Sequence, residues 1–70
     1  GYRFFFFSRE ETRMHIHVET HGGEAKYWIE PTVALADYIG LKTVELNEIQ
    51  RIVEEKRDEI CKAWKRLFKS

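Results

Sequence analysis

The pair Gly22-Gly23 separates two short segments in which apolar and polar residues alternate. The first segment ends at His21 and the second begins at Glu24. A two-residue hairpin turn of the primed type needs positive φ, which glycine adopts without strain. The sequence therefore predicts a β-hairpin in which His21 and Glu24 flank the turn.

This turn sets a register that pairs Glu19 with Lys26, His17 with Trp28 and His15 with Glu30. Alternate side chains of a strand point to opposite faces of the sheet. The predicted core face carries Ile16, Val18, Ala25, Tyr27 and Ile29. The opposite face, called the display face below, is predicted to carry His15, His17, Glu19, Lys26, Trp28 and Glu30. A slip of one residue would mix the two sets, so the clean sorting supports the pairing.

The residues before the hairpin predict one further strand. The run from Gly1 to Ser8 contains four consecutive phenylalanines, Phe4–Phe7, which place two aromatic rings on each face of a strand. A charged connection, residues 8–13, leads from this strand to the hairpin. We therefore expect a three-stranded antiparallel meander. The second pair of phenylalanines is predicted to pack on Trp28, on a partner chain or on residues that precede Gly1.

The residues after the hairpin predict two helices. Pro31 is typical of a first helical position, Leu35, Ala36 and Ile39 form a short apolar stripe, and Gly40 ends the helix. Thr43 is a candidate N-cap for a longer second helix. Its apolar residues follow helical spacing with a gap at Lys56-Arg57, where we expect the helix to bend or to pass the sheet edge. A helix of this length predicts that the end carrying Trp64, Leu67 and Phe68 packs on another subunit. The predicted fold is a single α+β domain over residues 1–70: three antiparallel strands, then two helices packed on one face.

Composition excludes several classes of protein. The chain has 70 residues, a formal net charge of zero and one cysteine, Cys61. Zero net charge argues against strong nonspecific nucleic-acid binding, and one cysteine excludes an internal disulfide and a cysteine-rich zinc site. No apolar run is long enough for a membrane span or a signal peptide. We expect a cytoplasmic protein with a reduced thiol, no cofactor and no membrane contact.

Residues His15 and His17 are the main candidates for chemistry. Imidazoles at positions i and i+2 of one strand point the same way, and histidine titrates near neutral pH. Three interpretations stay open: packed or solvated histidines, acid–base catalysis with Lys26 holding a phosphate, and a metal site with Glu30 as third ligand.

Three further features have functional and structural interpretations. The aromatic and cationic residues of the display face suit stacking of RNA bases, or burial in a homodimer. The loop Arg9-Glu10-Glu11 lies near the sheet edge, where it lends charged groups to the histidines or is solvated. The stretch from Pro31 to Glu55 resembles a helix-turn-helix, although its second helix begins with acidic residues where DNA phosphates would lie.

The chain resembles a small bacterial family catalogued as a domain of unknown function, number forty-one sixty. The resemblance rests on the following patterns: Phe4-x-Phe6-x-Ser8-x-Glu10, His15-Ile16-His17-Val18, Gly23-x-Ala25-Lys26-x-Trp28, Leu46-x-x-Ile49 and Trp64-x-x-x-Phe68. Family members often have proline before the first histidine, where this chain has Met14. The resemblance implies the toxin-like member of a toxin–antitoxin-type gene pair, with a small antitoxin-like partner protein. Carried over by position, it marks Ser8, Glu10, His15, His17, Lys26 and Trp28.

Together these observations predict a toxin-like component of a two-protein module that acts on RNA or another nucleic acid. The predicted catalytic residues are His15, His17, Lys26 and Glu10, with Glu10 or Glu30 orienting an imidazole. The predicted binding residues are Ser8, Arg9, Trp28 and Glu30. The alternative is a non-enzymatic interaction module whose His/Trp/Phe face forms a homo- or hetero-oligomer interface.

Overall fold

The computed structural model describes residues 1–7 and 13–68. Four strands form one antiparallel sheet in chain order: β1 (Arg3–Phe5), β2 (His15–Glu19), β3 (Glu24–Trp28) and β4 (Ala34–Ile39). Two helices follow, α1 (Thr43–Glu55) and α2 (Arg57–Leu67). The predicted α+β class is confirmed, but the sheet has four strands where three were predicted.

The β2–β3 hairpin forms around Gly22-Gly23, although its register differs from the prediction by two residues. Glu19 lies opposite Glu24 and His17 opposite Lys26, so the loop contains the four residues 20–23. The Thr20 hydroxyl accepts hydrogen bonds of 3.1 Å from both glycine amides, and neither glycine has positive φ. The threonine side chain therefore closes a longer loop than the predicted primed turn. A shift of two residues does not change the face to which each position of the strand belongs.

The prediction of a first helix after Pro31 is wrong, because residues 34–39 form the edge strand β4. Tyr27 pairs with Leu35 and Lys26 with Asp37, so Ala36 is an extra residue in a β-bulge. The bulge places Leu35 and Tyr38 on the same side of the strand although they are three residues apart, and this spacing imitates a helix. Without a helix at residues 34–39, the helix-turn-helix interpretation is wrong too.

The second predicted helix exists but is divided at Lys56, in the gap where it was predicted to bend or to pass the sheet edge. Lys56 has φ of −98° and ψ of 11°, and the helices on its two sides bury Ile49 with Val53 and Ile60 with Trp64. The N-cap is Lys42, one residue before the predicted Thr43, and its amide donates a 2.9 Å hydrogen bond to the Glu45 carboxylate. Neither described helix is long and apolar enough to cross a bilayer.

The core lies between the helices and the predicted core face of the sheet. All five predicted core-face residues are buried, together with Met14, Leu41, Ile49, Val53, Ile60 and Trp64. Trp64 packs on Phe6 of the same chain, with ring centroids 5.6 Å apart, and Phe68 packs on both. The end of α2 is therefore covered within the chain by Phe6, and Leu67, 64 % exposed, is the predicted subunit-contact residue that stays at the surface.

Candidate functional site

A cluster of cationic and aromatic residues occupies the display face of the sheet. We call it the Trp28 cluster, and its members are Arg13, His17, Lys26 and Trp28 with Phe5 and Phe7. Because Phe5 lies opposite His17 in the β1–β2 register, Phe5 and Phe7 point to this face, whereas Phe4 and Phe6 point to the helices. The structure thus brings together three predicted site residues, His17, Lys26 and Trp28.

The indole of Trp28 is in contact with two cations. The Arg13 guanidinium carbon lies 4.2 Å from the ring centroid, and the Lys26 ammonium lies 4.7 Å from it. Arg13 also donates a 3.3 Å hydrogen bond to the Glu30 carbonyl, which fixes its direction. Along the chain, Lys26 precedes Trp28 by two residues, and Glu30, whose carbonyl binds Arg13, follows it by two residues. The two cations therefore flank the indole. Cation–π contacts of this kind hold both positive charges at a defined place.

The imidazole of His17 is half-buried among aromatic rings. Its centroid lies 5.5 Å from the stacked ring of Phe5 and 4.6 Å from the edge-on ring of Phe7. Phe7 itself is 50 % exposed. The phenylalanine pair predicted to pack on Trp28, on a partner or on preceding residues therefore packs on His17.

His15 is a buried residue, and the prediction that both imidazoles lie away from the helices is wrong for it. Its side chain has no exposed surface, and its ring centroid is 5.1 Å from Trp64 of α2 and 5.1 Å from His17. The Nδ1 atom lies 2.7 Å from the Arg13 carbonyl oxygen, an acceptor, so Nδ1 carries the proton of that hydrogen bond. His15 thus joins the display face to the core, and it orients Arg13 and His17 on either side of it.

Glu30 is not opposite His15, because the observed register places Trp28 there. The Glu30 carboxylate instead lies 3.8 Å from the Arg57 guanidinium, which also donates a 3.2 Å hydrogen bond to the Ile29 carbonyl. The predicted role of Glu30 in orienting an imidazole is therefore wrong, and so is the metal-site interpretation in which Glu30 is the third ligand. Within residues 1–7 and 13–68, no group of three His, Cys, Asp or Glu residues is placed to hold a metal ion.

The charge on the display face is unevenly distributed along the strands. Glu24, beside the β2–β3 loop, and Asp37, opposite Lys26, line a shallow cavity of about 530 Å³ together with His17 and Lys26. Glu19, at the same end, is paired with Arg3 at 2.9 Å. Arg13 and Trp28 lie at the other end. An anion is therefore attracted to the Arg13 end of the Trp28 cluster and repelled from the loop end.

Sequence reasoning missed two of these charged residues. Asp37 lies opposite Lys26, which completes a row from His17 through Lys26 to Asp37, but residues 31–39 had the pattern of a helix. Arg13 was assigned to a loop, although continuing the alternation of His17 and His15 by two residues would have placed it on the same face.

Two tyrosines on the helical side have raised pKa values. The hydrogen bond that Tyr2 donates to the Glu48 carboxylate raises the pKa of Tyr2, and burial raises the pKa of Tyr27. Both groups stabilise the packing of the sheet on α1, and neither belongs to the Trp28 cluster.

Three predicted site residues, Ser8, Arg9 and Glu10, and the loop that contains them lie outside the described residues. The patterns around His15-Ile16-His17-Val18 and Ala25-Lys26-x-Trp28 form adjacent, paired strands in the structure. These two of the patterns that carry the family resemblance therefore lie side by side in the sheet.

Comparison with curated proteins and with solved structures finds no match. The model of the family described as a domain of unknown function, DUF4160, matches residues 1–65, which is most of the chain. The protein whose sheet presents the Trp28 cluster therefore belongs to the DUF4160 family.

Proposed function

We propose that this protein is the toxin-like component of a bacterial two-protein module and that the Trp28 cluster contacts RNA. The observation that carries the proposal is the placement of two cations and a half-exposed aromatic ring on one sheet face. Sheets that bind single-stranded RNA use such faces, because aromatic rings stack on bases and cations pair with phosphates.

The charged and aromatic residues of the face support a separate binding position for each part of the proposed RNA ligand. Arg13 and Lys26 flank Trp28, so a phosphate is held at that end of the cluster. Phe7 is the most exposed aromatic ring of the cluster and offers a surface for a base. The Glu24 carboxylate, beside the β2–β3 loop, repels phosphates from that end, so a nucleic acid binds locally although the chain has no net charge.

In this proposal the two histidines have different roles. His17 is half-buried beside Lys26 and is the imidazole suited to proton transfer at a bound phosphodiester. His15 is enclosed and positions its neighbours through its ring contacts and the hydrogen bond to the Arg13 carbonyl. Lys26 would then steady the phosphate on which His17 acts.

RNA binding is tested with a fluorescein-labelled, unstructured RNA and fluorescence anisotropy. The variant R13A/K26A removes both cations that contact Trp28, and the control K62A/K65A removes two exposed lysines from α2. Loss of two phosphate contacts lowers the slope of log affinity against log salt by about 1.4, because each contact to a single strand contributes about 0.7. Equal weakening by both double variants, or no binding by the native chain, contradicts the proposal.

The toxin-like role is tested by growth of a bacterial host after induced expression. We expect the native chain to arrest growth, H17A to relieve the arrest and H21A, a change in the exposed hairpin loop, to leave it intact. Circular dichroism on the purified variants confirms that each is folded. Arrest that persists in folded H17A and R13A/K26A variants would contradict a role for the cluster.

The second candidate is a non-enzymatic interaction module, and the packing of His17 between Phe5 and Phe7 favours it. The substitution H17F separates the two functions, since it keeps an aromatic ring at this place and removes the titratable nitrogen atoms. An interaction module keeps its arrest and its partner binding in H17F. A protein that transfers a proton through His17 loses its arrest while it stays folded.

A further inference from the structure

The outer edge of β4 carries large apolar side chains. Within residues 1–7 and 13–68, β4 is the last strand of the sheet and no strand pairs with its outer edge. Leu35, Tyr38 and Ile39 are 37 %, 51 % and 67 % exposed, respectively. Asp37 is the one charged residue among the six of β4. Exposed edges of this composition are templates for pairing with another strand.

The opposite edge of the same sheet has the features that prevent pairing. β1 has three residues, and its first residue, Arg3, forms an ion pair with Glu19 of the neighbouring strand. Short, charged edge strands discourage association. β4 is twice as long and has no lysine or arginine. The two edges therefore differ in length and in positive charge, although β4 has the bulge at Ala36 and a Tyr38 amide that donates a 2.8 Å hydrogen bond to the Asp37 carboxylate of its own chain.

We propose that the occupant of the β4 edge is β4 of a second copy, paired antiparallel about a two-fold axis between Ala36 and Asp37. This register places Leu35 opposite Tyr38 of the second copy, and Tyr38 opposite its Leu35. Both residues point to the helical side of the sheet, because the bulge at Ala36 gives them the same direction. Ala34 and Ile39 are matched in the same way on the display face.

The position of Asp37 supports this axis over its neighbours. An axis through Asp37 would place two carboxylates directly opposite each other, which is destabilising. An axis through Ala36 would pair Leu35 with Asp37 of the second copy, and these side chains point to opposite faces. The axis between the two residues places each Asp37 opposite an alanine and matches the direction of every other pair. The strand is thus complementary to itself in charge and in side-chain direction.

The resulting dimer has one continuous eight-stranded sheet. Because the axis of an antiparallel pair is perpendicular to the sheet, both helical layers lie on one side and both Trp28 clusters on the other. This interface differs from the homo-oligomer interface predicted from the sequence, which used the His/Trp/Phe face. The proposal does not depend on RNA binding.

Sedimentation equilibrium of the purified chain tests the interface. We expect twice the 8.4 kDa chain mass at micromolar concentrations, and at least about 10-fold weaker association for Y38K, which places a lysine in the edge of each copy. The control is V44K, which introduces the same charge at an apolar residue that is 71 % exposed and lies outside β4. A native chain that stays monomeric, or equal weakening by both variants, overturns the proposal.

Disulfide crosslinking tests the register without depending on the stability of Y38K. In a C61A background, L35C and Y38C are purified separately and then mixed under oxidising conditions. Opposite residues of an antiparallel pair have Cα atoms about 4.5–5.5 Å apart, within the range of a disulfide. We expect a crosslinked dimer in the mixture and none in either variant alone. Crosslinks in the single variants, or none in the mixture, overturn the proposed axis.

Discussion

The hydroxyl group of Tyr27 donates a 2.8 Å hydrogen bond to the carbonyl oxygen of Leu46, which connects the centre of the sheet to the first helix. Tyr27 has no exposed surface, so water cannot replace this bond. The sheet and α1 are thereby held in one relative position, and this position determines which sheet face remains for the Trp28 cluster.

Replacement of Tyr27 by phenylalanine is expected to lower the free energy of unfolding by about 1–2 kcal/mol, because a buried hydrogen bond is lost. Urea denaturation at neutral pH measures the change. The matched control is Y38F, at a half-exposed tyrosine of β4, for which we expect less than about 0.5 kcal/mol. Equal effects of the two substitutions would show that the bond to Leu46 contributes nothing.

Stability is expected to fall at alkaline pH. Burial raises the pKa of Tyr27 above its ordinary value of 10.0, so the folded chain keeps a proton that the unfolded chain releases. The stabilising contribution is complete below the unfolded pKa and is lost as the pH rises above it. Urea midpoints at about pH 9 and about pH 11 measure this loss. Y27F should reduce it and leave the part due to Tyr2, whose pKa is also raised.

Substitution of Gly23 or Gly40 by alanine is expected to destabilise the fold by more than about 1 kcal/mol. A Cβ atom on Gly23 would lie 2.1 Å from the Ile39 carbonyl oxygen, and Gly40 has φ of +74°. The control is G22A, whose Cβ meets only the Gly40 carbonyl oxygen at 3.8 Å. Thermal melts of the three variants rank the positions, and a melt of G22A as low as that of G23A would contradict the proposed clash.

The substitution H15A is expected to cost about 2–4 kcal/mol of stability, because it leaves a cavity beside Trp64 and breaks the bond to the Arg13 carbonyl. H21A, in the exposed loop, should change stability by less than about 0.5 kcal/mol. Guanidinium denaturation of both variants gives the comparison. If H15A is as stable as H21A, the buried contacts of His15 do not stabilise the fold, and His15 does not position the cluster.

Arg57 and Glu30 are expected to contribute unequally to stability. R57A removes both the hydrogen bond to the Ile29 carbonyl and the ion pair, and we expect a loss of about 1 kcal/mol. E30Q removes only the half-exposed ion pair, which is expected to contribute less than about 0.5 kcal/mol. The E30Q variant should bind RNA with the same affinity as the native chain. Weaker binding would show that Glu30 contributes to the RNA site after all.

The parts of the fold that depend on strict alternation were predictable from the sequence. The core and display faces of β2 and β3 follow from side-chain direction. An error of two residues in the predicted register does not change them. The register itself was not predictable from Gly22-Gly23, because the Thr20 side chain closes a longer loop. β4 was missed since one extra residue at Ala36 breaks the alternation on which a strand prediction rests.

The candidate site was predictable in its location and only partly in its chemistry. The grouping of His17, Lys26 and Trp28 follows from the hairpin alone. The burial of His15 does not, because it depends on where Trp64 comes to lie after the bend at Lys56. The partner of Glu30 is Arg57, 27 residues later in the chain, and no local pattern indicates such a pair.

Before the bulge at Ala36 the odd-numbered residue Leu35 points to the helical side of the sheet, whereas after the bulge the even-numbered residue Tyr38 does. A relative that lacked one residue there would form a regular strand without the bulge, in which Leu35, Asp37 and Tyr38 keep the faces that they have here. In alignments of this family, a gap at this position therefore indicates loss of the bulge and leaves inside and outside unchanged on both sides of the gap, whereas loss of the bulge without a gap would exchange them.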